Sequence, residues 1–476
     1  MCSWITRVGW GLGLVLLLVS TPHAKTYTVR VTETSDGRTE QSIGATEGCT
    51  RFDIKELTDA GLGNYRLWAG MSRLEPVNDN AVYGTPTIAQ IKANPAIINW
   101  AAWDAQFAKP AYDWTPTCQS VVRSSLADIL AALRDHAIRA VVTLRPVDDQ
   151  GHPAWALPLA PPRTPEDKNE WWEHVFATVY WVNVRSKPSL EVHDWQVLNE
   201  PDSGRAQGWN GTFAEYLQFT QLTNDAIQYV YTTYLPGKTF RLYAPVAQGM
   251  NTWVQGSLSE NGTMLDTVDW HNYGTSHYDN AVQARAWSSS ALQSSLPREL
   301  YISEWGSYRS AYDFVHALTY AKLLMDHSRD TAGHVDGSAI FSWYDWQTLR
   351  GVIGATGTKT PTYYAMRLMI RGLQGGKLRY PVEHDIPSQV DIQPLAAVDE
   401  ASHTLYVEVL NQTRQAHTIA VELSPRHAPR GPATLYQFAQ GSYDVVQGPV
   451  AIAAGRLTFT LPSLSLMQVS VPLASP

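Results

Sequence analysis

Short apolar runs of strand length recur along most of this chain, separated by longer runs with helical periodicity. After an opening strand expected at Tyr27–Val31, strands are expected at Asn64–Trp68, Arg139–Leu144, Val192–Leu198, Phe240–Ala244, Leu265–Trp270, Leu300–Ser303 and Ala339–Trp343. Arg139–Leu144 (RAVVTL) is nearly continuous in apolar character, as in a parallel strand buried on both faces. Between the runs, Val121–His136 places Leu126, Ile129, Leu130 and Leu133 on one helix face. Thr164-Pro165 sets an N-cap before a proline at the first helical position. Phe213–Tyr234 and Tyr312–His327 are long amphipathic stretches. Strands alternating with helices point to parallel βαβ units. About eight such units between residues 40 and 375 fit a (β/α)8 TIM barrel with elongated loops. A doubly wound sheet is the competing arrangement, but it calls for a glycine-rich phosphate turn, and GATEG at 44–48 lacks that spacing.

The pattern changes after the last long helical stretch, Pro361–Leu373. Short β-branched or alternating runs follow at Thr404–Leu410, His417–Leu423, Ala433–Phe438, Leu457–Leu461 and Leu466–Val471, divided by turns rich in Pro, Gly and Asn. They predict a C-terminal antiparallel β-sandwich over 377–476, following a catalytic barrel over 25–376. Tyr27–Val31 either joins that sandwich or closes the barrel floor. Met1–Ala24 has the layout of a signal peptide, Arg7 preceding an apolar stretch that ends in small and turn-forming residues. Export to the periplasm or medium is therefore expected, with no stable membrane insertion afterwards. Cys2 leaves with that segment, and Cys49 and Cys118 remain as a pair able to form one disulfide. Asn210, Asn261 and Asn411 begin glycosylation tripeptides.

Two glutamates carry the chemistry. Glu200 follows the run Val192–Leu198 in VHDWQVLNEPD, and Glu304 follows Leu300–Ser303 in LYISEWG. In a barrel of this kind, the C-terminal strand ends form the mouth of the active site. The spacing of the two glutamates suits the fourth and seventh strands, across one central cleft. A pair of carboxylates there can cleave a glycosidic bond, one protonating the leaving oxygen and the other attacking the sugar carbon or activating water. The chain is also rich in amphipathic aromatics, with 18 Trp and 23 Tyr beside 10 Phe. Such rings suit the apolar C–H faces of sugars. Lys and Arg total 36 against 44 Asp and Glu, a net charge of -8 with no basic stripe, so nucleic acid is not an expected partner. That charge fits a monomer or a dimer equally. No metal-ligand spacing and no Gly-x-Ser-x-Gly elbow is present.

Asn199-Glu200-Pro201 resembles the Asn-Glu-Pro motif of the retaining clan A glycoside hydrolases at the end of barrel strand four, and Glu304-Trp305-Gly306 resembles their strand-seven nucleophile. The resemblance extends to Arg66, to His271 and Tyr273 in DWHNYG, and to Trp343, and it is greatest to family 39, the β-xylosidase and α-L-iduronidase group. It implies Glu200 as general acid/base and Glu304 as nucleophile in a double displacement, with the carboxyls about 5–5.5 Å apart. It further implies that Asn199 binds the hydroxyl beside the anomeric carbon, and that Arg66 and Tyr273 hold Glu304. His271 would bond substrate or support the acid/base. Trp305 would lie beside the carboxylates, and Trp343 would stack under the attacked sugar. No cofactor is implied, and the partner is an oligo- or polysaccharide. A transglycosylase or a non-catalytic sugar-binding barrel would carry the same framework. Trp100, Trp103 and Trp114 either line distal sugar subsites or pack an insertion. Trp171, Trp172 and Trp181 are expected to pack a helix, and His316 and His327 to be surface or packing residues. The long loops Met71–Thr117 and Val147–Glu166 shape the cleft and leave endo and exo action both open.

Overall fold

The computed structural model describes residues 25–47, 52–76, 84–109, 124–146, 161–207, 209–261, 264–274, 277–292, 298–307, 313–345, 350–354, 356–389 and 391–474. Met1–Ala24, Cys49, Trp114 and Cys118, with the expectations attached to them, lie outside these residues.

Two strands, β1 (Thr26–Val31) and β2 (Gly37–Arg38), precede the barrel. The barrel consists of β3 (Ser42–Thr46), β4 (Asn64–Gly70), β5 (Arg139–Arg145), β6 (Asp194–Val197), β7 (Arg241–Ala247), β8 (Thr267–Tyr273), β9 (Glu299–Gly306) and β10 (Gly337–Ile340). All eight pair in parallel, in chain order, and β10 closes onto β3. A helix follows each strand. Several begin where side chains replace the missing backbone acceptors: Ser125 with Asp128, Thr164 with Asp167 and Thr212 with Glu215 form reciprocal capping boxes. Leu126, Ile129, Leu130 and Leu133 are all buried, as their spacing predicts.

The barrel interior is layered. Near the floor, the rings of Tyr243 and Tyr301 meet edge to face at 5.2 Å, beside Val141 and Ala339. Their hydroxyls donate to Asp194 at 2.6 Å and Asn64 at 2.7 Å, which satisfies polar atoms that burial would otherwise penalise. Above them lies a wholly polar, buried layer of Arg66, Thr143, Gln196 and Asp269. The carboxylates sit on top of that layer.

The sandwich comprises β11 (Leu378–Tyr380), β12 (Val382–His384), β13 (Ile392–Asp399), β14 (Thr404–Asn411), β15 (His417–Glu422), β16 (Ala433–Ala439), β17 (Ser442–Val450), β18 (Arg456–Leu461) and β19 (Ser465–Pro472). The domain boundary differs from 25–376 and 377–476, because residues 26–38 belong to the sandwich. One sheet runs β12-β1-β15-β18 and the other β17-β16-β19-β14-β13-β11-β2. Alternation explains the placement of β1: Tyr27, Val29 and Val31 are buried in the sandwich core while Arg30 pairs outward with Glu422 at 2.9 Å. The β1–β15 pair is parallel, and the other pairs of both sheets are antiparallel. The sandwich packs on the helix Pro361–Leu373, where a Cβ on Gly372 would lie 1.9 Å from the buried Glu408. Asn411 is fully buried and its amide donates to the Gln415 and Pro462 carbonyls, so the folded protein cannot present it for glycosylation.

Candidate active site

Glu200 and Glu304 reach the mouth through two departures from regular strand geometry. Beyond β6, Leu198 and Glu200 take left-handed backbone angles, φ 67° and 43°. Such angles are uncommon outside glycine, and they persist where surrounding bonds fix them. Here the Leu198 amide donates to the Leu144 carbonyl at 3.0 Å and the Glu200 amide to the Val246 carbonyl at 2.9 Å. The chain end of β6 is thereby tied to both neighbouring strands, with Asn199 and Glu200 only slightly exposed.

On β9 the device is a β-bulge. Tyr301 faces the barrel interior, so strict alternation would turn Glu304 outward. The pairing shifts by one residue instead: Trp270 opposes Ile302, but His271 opposes Glu304. The same extra residue is seen from β10, where Ser338 opposes Ile302 and Ile340 opposes Trp305. The bulge inverts the alternation beyond it. Glu304 consequently enters the cleft, and Trp305 points out.

Two expectations for aromatic residues are corrected by this geometry. Trp305 is fully buried outside the barrel, its ring 5.6 Å from Tyr320 and 5.4 Å from His327 of the helix Phe314–His327. Trp343 is also fully buried, its ring 5.8 Å from Tyr363 on the helix Pro361–Leu373, and it has no surface to offer a sugar. Phe341, two residues earlier, is partly exposed with its ring 6.4 Å from Tyr273. It follows the eighth barrel strand and neighbours Tyr273, the partner of Glu304. Trp103 packs on Phe107 and His174, and Trp100 on Tyr180, so these two belong to packing. Trp171, Trp172 and Trp181 are buried as expected of packing residues. His316 and His327 are buried too, not at the surface, and His327 bonds Glu40 at 2.7 Å and His277 at 2.8 Å.

The remaining named residues converge. Arg66 is fully buried and its three nitrogens donate to three partners: Gln196 at 2.6 Å, Glu304 at 2.6 Å and Asn199 at 2.7 Å. The planar guanidinium suits this role because its donors are held in a fixed fork, with different nitrogens serving different partners. The Tyr273 hydroxyl donates to the other Glu304 oxygen at 2.9 Å. His271 Nδ1 lies 2.7 Å from Glu200 Oε1 and 3.4 Å from Glu304 Oε2, touching both carboxylates. Gln196, Asp269 and Phe341 are the members that strand-end motifs did not reveal. Inward alternation from Asp194 and from His271 would have found the first two.

The electrostatics separate the groups. Burial by itself would push the Glu304 carboxyl up, but the charges of His271 and Arg66 and the bonds from Arg66 and Tyr273 hold it below the usual range. His271 moves the opposite way: burial opposes its charge, yet Glu304 and Glu200 together raise it above an ordinary histidine. Burial next to Glu304 keeps the Tyr273 hydroxyl protonated. The site is thus a buried cation set around Glu304, with Glu200 served by a histidine. Glu200, His271 and Glu304 present donor atoms within 4.8 Å of one another, a spacing that also suits a cation. Arg66 and Tyr273 already engage the two Glu304 oxygens, so the trio fits proton transfer and nucleophilic attack better than metal binding.

No protein-family model and no curated protein matches this chain by sequence. Solved structures match it along nearly its whole length. A GH30 endoxylanase from Clostridium papyrosolvens C71 aligns with a TM-score of 0.63 at 15% identity, covering 94% of this chain and 100% of its own. A GH39 enzyme from Xanthomonas axonopodis pv. citri gives 0.61 at 15%, over 95% and 98%. A family 51 α-L-arabinofuranosidase from Bifidobacterium longum gives 0.64 at 14%, over 94% and 99%. Family 39 is one of several among these clan A glycoside hydrolases, and what the likeness establishes is the shared architecture of barrel and β-sandwich.

Proposed function

We propose that the protein is a retaining glycoside hydrolase acting on O-glycosidic bonds of an oligo- or polysaccharide. The observation that carries this reading is the pair Glu200 and Glu304, facing each other across a barrel mouth with oxygens within 4.8 Å and with different partners. Carboxylates this close fit direct attack better than inversion, which needs room for a water between carboxylate and sugar. Glu304, ionised and aimed by Arg66 and Tyr273, attacks the anomeric carbon while Glu200 gives its proton to the leaving oxygen. A covalent glycosyl ester forms and the aglycone departs as an alcohol. Glu200 then takes a proton from water, whose oxygen displaces Glu304 and restores both groups. Asn199 would bind the hydroxyl next to the attacked carbon, and Phe341 would lie against the sugar face. His271, bonded to Glu200 and near Glu304, would steady the charge passing between them.

Neighbours of the same architecture are named as a xylanase, a β-xylosidase and an arabinofuranosidase, which supports plant-type polysaccharides as first substrates to try. The test is a panel of aryl β-xylosides, β-glucosides and α-L-arabinofuranosides with xylans and glucans, with product size and anomeric configuration followed by NMR. Turnover with retention is expected, lost in Glu304→Gln. No turnover on any member, or inversion, rejects the proposal.

A further inference from the structure

The bulge that turns Glu304 into the cleft needs something to hold it. An extra residue in one strand leaves its own amide and carbonyl off the ladder, and such groups are costly when buried without partners. On β9 that residue is Ser303, fully buried. Its amide donates to Asp269 Oδ1 at 3.2 Å, and its carbonyl accepts from Thr46 Oγ1 at 2.9 Å. Side chains of β8 and β3 therefore complete what the β9 ladder lacks. Asp269 is itself fully buried, with 0% exposure. Its other oxygen accepts from Gln196 Nε2. Gln196 Oε1 in turn accepts from Arg66 Nε at 2.6 Å and from Thr143 at 2.5 Å, which fixes the orientation of the amide. Arg66 then reaches Glu304 at 2.6 Å. The bonds close a ring: Asp269, the Ser303 amide, the chain to Glu304, Arg66, Gln196 and back to Asp269.

We propose that Asp269 is a positioning residue, which fixes the β9 bulge through Ser303 and the Arg66 fork through Gln196, and so sets the direction of the Glu304 carboxylate. This rests on the reading of Glu304 as nucleophile given above. Asp269 does not touch the position of the sugar, and it acts on both supports of Glu304 at once. A carboxylate suits the place because both of its oxygens accept and neither has to donate. Burial pushes it up to about 6, against the pull of the Arg66 and His271 charges, so at neutral pH both oxygens are acceptors.

Two variants separate this role from plain packing. Asp269→Asn keeps the shape but only one acceptor oxygen for two donors, whereas Asp269→Leu keeps the volume and loses both. Crystal structures of each would be compared with wild type, and kcat and KM measured separately on the best substrate of the panel. Expected are a broken Arg66–Glu304 contact and a kcat lower by about 100-fold in Asp269→Leu, the scale of a displaced reacting group, with KM changed little. Asp269→Asn should fall in between, by roughly 10-fold. An unchanged Glu304 position in Asp269→Leu, or a kcat equal to wild type in both variants, overturns the proposal. If the wild type turns over no glycoside while Asp269→Leu still releases Glu304 from Arg66, the functional reading fails and the positioning role stands.

Discussion

Replacing Arg66 by methionine keeps a long side chain and removes the guanidinium. Three bonds of 2.6, 2.6 and 2.7 Å disappear together, and Glu304 is left buried without its nearest cation. Breaking a buried pair in this way costs about 3–5 kcal/mol. His271, 3.4 Å from Glu304, offsets part of that cost. If about 3 kcal/mol falls on the transition state, kcat/KM drops by roughly 10²-fold. The pH profile is the more telling readout. As the proposed nucleophile Glu304 must be ionised, and Arg66 is one of the groups holding it below the ordinary carboxylate range. Removing Arg66 raises Glu304, so the acid limb of kcat/KM against pH moves to higher pH. Stability follows the same sign: a depressed carboxylate contributes above its unfolded pKa, and that contribution is lost as pH falls through its folded value. The melting difference between Arg66→Met and wild type should therefore be largest near neutrality and shrink in acid. Steady-state rates from pH 4 to 8 on an aryl glycoside, with melting curves alongside, would measure both. An acid limb that stays in place, with kcat/KM within threefold of wild type, would refute the role given to Arg66.

Glu200→Gln should lose most activity on substrates with poor leaving groups and far less on a dinitrophenyl glycoside, and added azide should restore turnover of the latter as a glycosyl azide; equal losses on both would reject Glu200 as the acid. Phe341→Ala should raise KM with little change in melting, whereas Trp343→Ala should lose about 3–5 kcal/mol of stability in denaturant titration, because only the second empties a filled core site. Glu408, fully buried at the contact between barrel and sandwich, is pushed up to about 8 by burial. The folded state then holds a proton that the unfolded state has released, so stability falls as pH rises from the ordinary glutamate range to 8, by an amount on the order of a few kcal/mol. Melting curves from pH 5 to 9 should show that fall in wild type and a flatter line in Glu408→Gln.

Much of the architecture was legible because its strands are apolar and its helices begin at recognisable caps. Phe213–Tyr234 begins and ends where its amphipathic pattern does, with Thr212 as cap. The first barrel strand, Ser42–Thr46 (SIGAT), gave no such signal. It carries a glycine at its centre because β4 presses on it there: a Cβ on Gly44 would lie 2.1 Å from the Asn64 side chain. Strands β11 and β12 are only three residues long, too short for a pattern. At the site, Glu200 and Glu304 were readable from their strand ends, and Arg66, His271 and Tyr273 from the family resemblance. The facing of Trp305 and Phe341 was not, since each depends on irregular backbone near the mouth. A bulge leaves no residue type behind it, so alternation counted from Tyr301 gives the wrong face for everything after Ser303. Asp269 and Gln196 matter through the atoms they tie together, which only the closed barrel brings into range.

In the proposed mechanism Glu304 forms a covalent bond to the sugar. An activated 2-deoxy-2-fluoro glycoside of the preferred sugar, which forms that ester and hydrolyses it slowly, tests it in one step. Intact-protein and peptide mass spectrometry should find one sugar per chain, attached at Glu304. A wild type that turns over the parent glycoside yet carries no adduct, or carries it on another residue, would contradict the account.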